Sequence, residues 1–181
     1  MRTKRPNNPA LDSQSFRVAG VVTAIFVTAI TALVPLLASG EQRFEVSFPS
    51  AVHEEALTGR IYVMISRTAE REPRLQIGRT GAPFFGRDVV NLLPGEPGII
   101  DATDLGTPVA SLRDIPAGEY YVQAFVNIYS EFRRADGHVV WMHDDQWEGQ
   151  QWNRSPGNLY SAVERVRLDP EADAVIALSA E

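Results

Sequence analysis

The chain has 181 residues, 44% of them hydrophobic and 22% charged, with no cysteine. This composition belongs to a folded domain and excludes a disordered tail, a disulfide scaffold, a thiol nucleophile and any cysteine-ligated metal site. The net charge of −6 is unevenly spread: residues 1–17 carry +3 and the rest −9, with Lys4 the only lysine. An acidic globule without a basic run is poorly suited to neutralising phosphates, so no nucleic-acid partner is expected.

Residues 1–17 form a basic segment holding Arg2, Lys4, Arg5 and Arg17. Residues 18–40 (VAGVVTAIFVTAITALVPLLASG) come next, without a single charge. A helix of about 20 apolar residues spans a bilayer, and this stretch has no polar face to turn toward water. Basic residues before it and Glu41 after it place the N-terminus in the cytoplasm and send the remainder of the chain across the membrane. Ala38-Ser39-Gly40 offers small residues for cleavage before Glu41, with Pro35 breaking the helix just ahead. The stretch therefore reads as a signal peptide or, uncleaved, as a membrane anchor. In both cases residues 41–181 are expected to be periplasmic or extracellular.

Beyond residue 40 the apolar period becomes two. Residues 44–48 (FEVSF), 60–66 (RIYVMIS) and 120–128 (YYVQAFVNI) alternate as half-buried strands do. In the second of these, Ile61, Val63 and Ile65 share the core face. In the third, Val122, Ala124, Val126 and Ile128 do, with Tyr121, Phe125 and Asn127 opposite. Residues 139–142, 163–168 and 174–178 complete the clear strands; 75–77, 89–92 and 109–112 are weaker candidates. Turn signals separate them: Pro94-Gly95, Pro116-Ala117-Gly118, Asp136-Gly137 and Ser155-Pro156-Gly157-Asn158. Asp136-Gly137 reads as a hairpin tip. The expected fold is all-β: an antiparallel immunoglobulin-like or prealbumin-like β-sandwich over residues 41–181, preceded by one N-terminal hydrophobic helix.

Chemistry-bearing motifs are sparse. No G-x-S-x-G pentapeptide supplies a nucleophile elbow, and His53, His138 and His143 fall in no metal-binding motif. The richest cluster is 138–145 (HVVWMHDD). Continued as a strand, it would put Trp141, His143 and Asp145 on one face. His143 and Asp145 are accordingly the candidate metal ligands, and the carboxylate would favour Ca²⁺; no other cofactor is indicated. Trp141, Trp147 and Trp152 fall within twelve residues, among Gln146, Gln150, Gln151 and Asn153. Flat aromatic rings beside planar amides suit the apolar faces and polar rims of sugars. Trp141, Trp147, Gln150, Trp152 and Asn153 are therefore the candidate ligand-binding residues. The alternative is that the tryptophans close the end of the sandwich.

Five runs together carry a family resemblance: 59–67 (GRIYVMISR), 72–74 (EPR), 83–86 (PFFG), 114–124 (DIPAGEYYVQA) and 149–161 (GQQWNRSPGNLYS). The chain resembles the N-terminal β-sandwich region of exported bacterial proteins classed as esterases. There the sandwich precedes an α/β-hydrolase domain of the esterase D/feruloyl-esterase type. The resemblance implies an exported, non-catalytic accessory domain acting by contact with a partner or a glycan. The partner would be a hydrolase domain or a protein encoded downstream, with the membrane a further contact if residues 18–40 stay uncleaved. The chain stops at Glu181, where such a protein would continue, and the family's catalytic serine, aspartate and histidine have no counterparts here. No catalytic residue is assigned. The alternatives are a hydrolase fragment or stand-alone enzyme with an unrecognised site, and a metal-stabilised structural module.

Overall fold

A computed structural model describes residues 41–144 and 151–181; the helix expected over residues 18–40 lies outside them. Among the described residues, no helix is long and apolar enough to cross a membrane. The described residues form eleven strands in order: β1 (Arg43–Ser47), β2 (Leu57–Ser66), β3 (Phe84–Leu92), β4 (Gly98–Ile100), β5 (Gly106–Thr107), β6 (Gly118–Ile128), β7 (Ser130–Arg133), β8 (Val139–Met142), β9 (Leu159–Tyr160), β10 (Glu164–Leu168) and β11 (Val175–Ser179). The fold is all-β, with only single 3₁₀ turns between the described strands.

One sheet has the order β11-β1-β4 and the second the order β10-β6-β2-β3-β5, with β9 also pairing to β6. A separate two-stranded sheet joins β7 to β8. Most pairs are antiparallel, as expected. The exception is β1 with β11, which run parallel from Arg43↔Val175 to Ser47↔Ser179. The last strand thereby docks beside the first, and Ala180 N–H donates to the Ser47 carbonyl at 2.8 Å.

The two larger sheets share one core. Phe44 and Val46 of β1, Ile100 of β4 and Leu178 of β11 meet Ile61, Val63 and Ile65 of β2, Phe85 of β3 and Val122, Ala124 and Val126 of β6, all essentially buried. The alternation legible in 60–66 and 120–128 is what aims these side chains to one side. Gly98 lets the sheets approach: a Cβ there would lie 2.6 Å from Ile61 Cδ1.

Two weak strand candidates are corrected. Residues 73–75 form a 3₁₀ turn, PRL, started by Pro73, and Ile77 makes only an isolated bridge to Ala82. In 109–112 the chain leaves the cis Thr107-Pro108 bond and enters the 3₁₀ turn Leu112–Asp114, where Ser111 Oγ accepts from Arg113 N–H. Both segments have apolar residues, but proline and capping serine chemistry favours turns over a ladder. Conversely, β4, β5 and β9 are two or three residues long, too short to leave a period in the sequence.

The Pro116–Gly118 corner is fixed by a hydrogen bond. Tyr120, only 4% exposed, donates its hydroxyl to the Pro116 carbonyl at 2.7 Å, tying the start of β6 to the preceding turn. The Tyr120→Phe variant should lose about 0.5–1.5 kcal/mol of stability, the net worth of one such bond. Urea unfolding with an unchanged m-value checks this.

Candidate functional site

The outward side of the larger sheet is the first place to look, because it too is covered. On β6, Gln123, Phe125 and Asn127 point away from the core, yet each is at most 3% exposed. The cover is built by the turns Pro73–Leu75 and Trp152–Arg154. The Trp152 ring stacks on Tyr62 of β2, with centroids 4.4 Å apart. It also meets Phe125 edge-on at 5.6 Å and Phe84 at 6.1 Å. Burial, reinforced by the nearby Tyr129 and opposed by Arg60, pushes the Tyr62 hydroxyl well above its ordinary range.

Beside this aromatic cluster lies a polar bracket. Arg74 Nε donates to Glu72 Oε2 at 2.7 Å, and Arg74 Nη1 donates to the Asn153 carbonyl at 3.0 Å. The Asn153 side chain returns a bond from Nδ2 to the Arg74 carbonyl at 2.7 Å. The guanidinium lies 4.0 Å from the centroid of the Tyr160 ring. Gln123 is held from three sides: its Oε1 accepts from Arg74 N–H, and its Nε2 donates to Glu72 Oε2 and to the Ser161 carbonyl. The bond from Arg74, then that from Gln123, holds the Glu72 carboxyl below its usual value of 4.5. One buried polar atom has no partner among the described residues, Asn127 Oδ1.

These contacts separate the residues that the sequence grouped. Trp152 and Asn153 belong to the cover, as packing and as a backbone clamp. Trp141 does not join them: it sits on β8 and is 48% exposed. Trp147 and Gln150 lie outside the described residues, as does Asp145. The strand that was to carry His143 ends at Met142. His143 lines a small recess of about 140 Å³ with Asp144, Ser130 and the 155–158 turn, where Ser130 Oγ donates to Asp144 Oδ2 at 3.0 Å. Among the described residues no three His, Cys, Asp or Glu side chains converge as a metal centre.

The hairpin of β7 and β8 is the opposite of the covered face. Its register, Glu131↔Trp141 and Phe132↔Val140, puts Phe132, Val140 and Met142 on one side and Trp141 and Val139 on the other. Phe132, Val139, Trp141 and Met142 are 39–48% exposed. The tip is the expected Asp136-Gly137 turn, with Gly137 at φ 86°, and its cations are paired internally: Arg133 with Glu131 and Arg134 with Asp136. The sequence signal that separates covered from uncovered apolar residues was present in β6. Gln123 and Asn127 interrupt a strand otherwise apolar on both faces, the mark of a second buried layer needing internal hydrogen bonds.

No family model, curated protein or solved structure matches the chain.

The difference between covered and open tryptophans is measurable. Trp152→Ala should cost about 2 kcal/mol or more by emptying the aromatic stack, whereas Trp141→Ala should stay within about 0.5 kcal/mol; thermal unfolding of both separates cover from surface. Glu72 has a lowered folded pKa, so its contribution to stability is present above 4.5 and lost as pH falls through the lower folded value. Glu72→Gln should therefore lower the urea midpoint at pH 7 and lower it progressively less as the pH falls below 4.5.

Proposed function

We propose that this chain is an exported, non-catalytic accessory domain of immunoglobulin-like type that works by contact with a partner. The hairpin of β7 and β8 is its contact element. The observation that carries this reading is the exposure of Phe132, Val139, Trp141 and Met142 together on a short hairpin open on both sides. Aromatic and methionine side chains in such a cluster are the usual anchors of protein contacts. The bond from Tyr120 to Pro116 supports the immunoglobulin-like type, since a tyrosine hydroxyl tied back to the corner before its strand is a device of those sandwiches.

The resemblance to the N-terminal region of esterase-type proteins names the partner class, a hydrolase domain in the same exported compartment. Export rests on the uncharged stretch 18–40 and the cations before it. The glycan reading rests now on Trp141 alone among the described tryptophans, because Trp152 is engaged with Tyr62.

The reading expects a hydrolase encoded beside this chain; purified and mixed with the full chain, it should form a complex by analytical ultracentrifugation. A Phe132→Ser/Trp141→Ser double variant should weaken that complex at least about tenfold, as loss of two anchors requires. Binding that ignores both substitutions sinks the hairpin assignment. Tryptophan quenching by a polysaccharide, lost in Trp141→Ala, would favour a glycan instead. Turnover of p-nitrophenyl esters that vanishes with one serine would make the chain an enzyme.

A further inference from the structure

A second surface, independent of the hairpin, has the form of a small-molecule site. Where β2 ends, the chain turns outward at Arg67 and leaves a recess of about 570 Å³. Its walls are apolar: Ile65 on β2, Ala82 and Pro83 ahead of β3, and Val109, Ile115 and Pro116 at the corner before β6. This size falls within the range of pockets that take small ligands, which are mostly apolar with a few fixed polar groups.

Apart from the exposed Thr80 hydroxyl on the rim, the polar groups along the recess are already engaged, with one exception. Ser66 Oγ donates to Gln76 Oε1 at 2.7 Å, and Gln76 Nε2 donates to the Thr68 and Arg71 carbonyls. The Tyr120 hydroxyl is committed to Pro116. Arg67 alone is charged. Its guanidinium carbon lies 3.9 Å from the centroid of the Tyr120 ring, and no carboxylate lines the recess. Among the described residues Arg67 makes no ion pair, which it shares with Arg71, Arg79, Arg154 and Arg167, while Arg60, Arg74 and Arg87 are matched with acids; what sets Arg67 apart is its seat on the Tyr120 ring at the mouth of an apolar recess.

The position of this cation is built. The Tyr120 ring that carries it is itself locked by the bond to Pro116, so the platform does not swing. Gly118 leaves the space on the other flank: a Cβ there would come within 2.8 Å of Arg67 Nη1. A guanidinium stacked by one face keeps its in-plane N–H donors free, and their fork matches a carboxylate in two parallel bonds.

We propose that this recess binds a small organic anion, an apolar body bearing one carboxylate. Arg67 would take the carboxylate, and the Ile65, Pro83, Val109 and Ile115 walls the body. The full chain, titrated with 4-(trifluoromethyl)benzoate and followed by fluorine NMR, should bind it saturably. It should bind the neutral isostere 4-(trifluoromethyl)benzamide about tenfold more weakly, the scale of one charge-assisted pair. Arg67→Gln should bring the two probes to equal affinity, while Arg67→Lys keeps part of the preference. Thr80→Trp, an exposed position on the rim, should abolish binding of both. Arg60→Gln, near the opposite end of β2 in the pair with Asp88, should leave binding unchanged. Circular dichroism of each variant establishes that it is folded. Equal affinity of the two probes for the native chain, a preference that survives Arg67→Gln in a folded protein, or no saturable binding at millimolar probe would each overturn the proposal. None of these outcomes bears on the hairpin.

Discussion

The structure depends on β6 being buried on both faces. Val122, Ala124 and Val126 close the core on one side, and Gln123, Phe125 and Asn127 lie under the cover on the other. A strand in that position has no water to turn to, so its backbone and its polar side chains must find partners within the protein. One edge is taken by β2 along eight residue pairs. The other edge is assembled in pieces: β10 pairs with its first half, β9 with Phe125 and Val126, and two side chains fill the gaps. Ser161 Oγ accepts from Ala124 N–H, and Asn158 Oδ1 accepts from Ile128 N–H. The segment 152–161 is thus the closing edge of the sheet, and its Asn158 and Ser161 side chains are spent on the backbone of β6.

That commitment changes the meaning of the tryptophan-rich segment. By composition, Trp152 and Asn153 look like a sugar platform, because a ring and an amide in adjacent positions serve sugar recognition and sheet coverage equally well. Their contacts here are inward: the ring against Tyr62, the amide against the Arg74 backbone. An aromatic ring stacked at 4.4 Å has one face removed from any ligand. Trp141 differs only in its place on the chain. It falls on a hairpin that no layer among the described residues covers, and it is 48% exposed.

The two surfaces proposed for binding differ in chemistry. The hairpin offers uncharged apolar side chains and cations neutralised within the hairpin itself, which suits a broad contact with another polypeptide. The recess at Arg67 offers a single unpaired cation above a locked aromatic ring, which suits a small directional ligand. They draw on different residues.

The sequence by itself determined the all-β class, the inward faces of β2 and β6, the hairpin tip at Asp136-Gly137 and the corner before Tyr120. Each of these rests on a local rule, alternation or turn chemistry, that needs no distant partner. Tertiary structure alone decided that β1 and β11 lie parallel, that Trp152 packs on Tyr62 while Trp141 is open, and that Arg67 meets Tyr120 without an acid. Those outcomes join residues tens of positions apart, and a side chain's burial or charge pairing is set by what the closed sheets bring beside it, which no local period records.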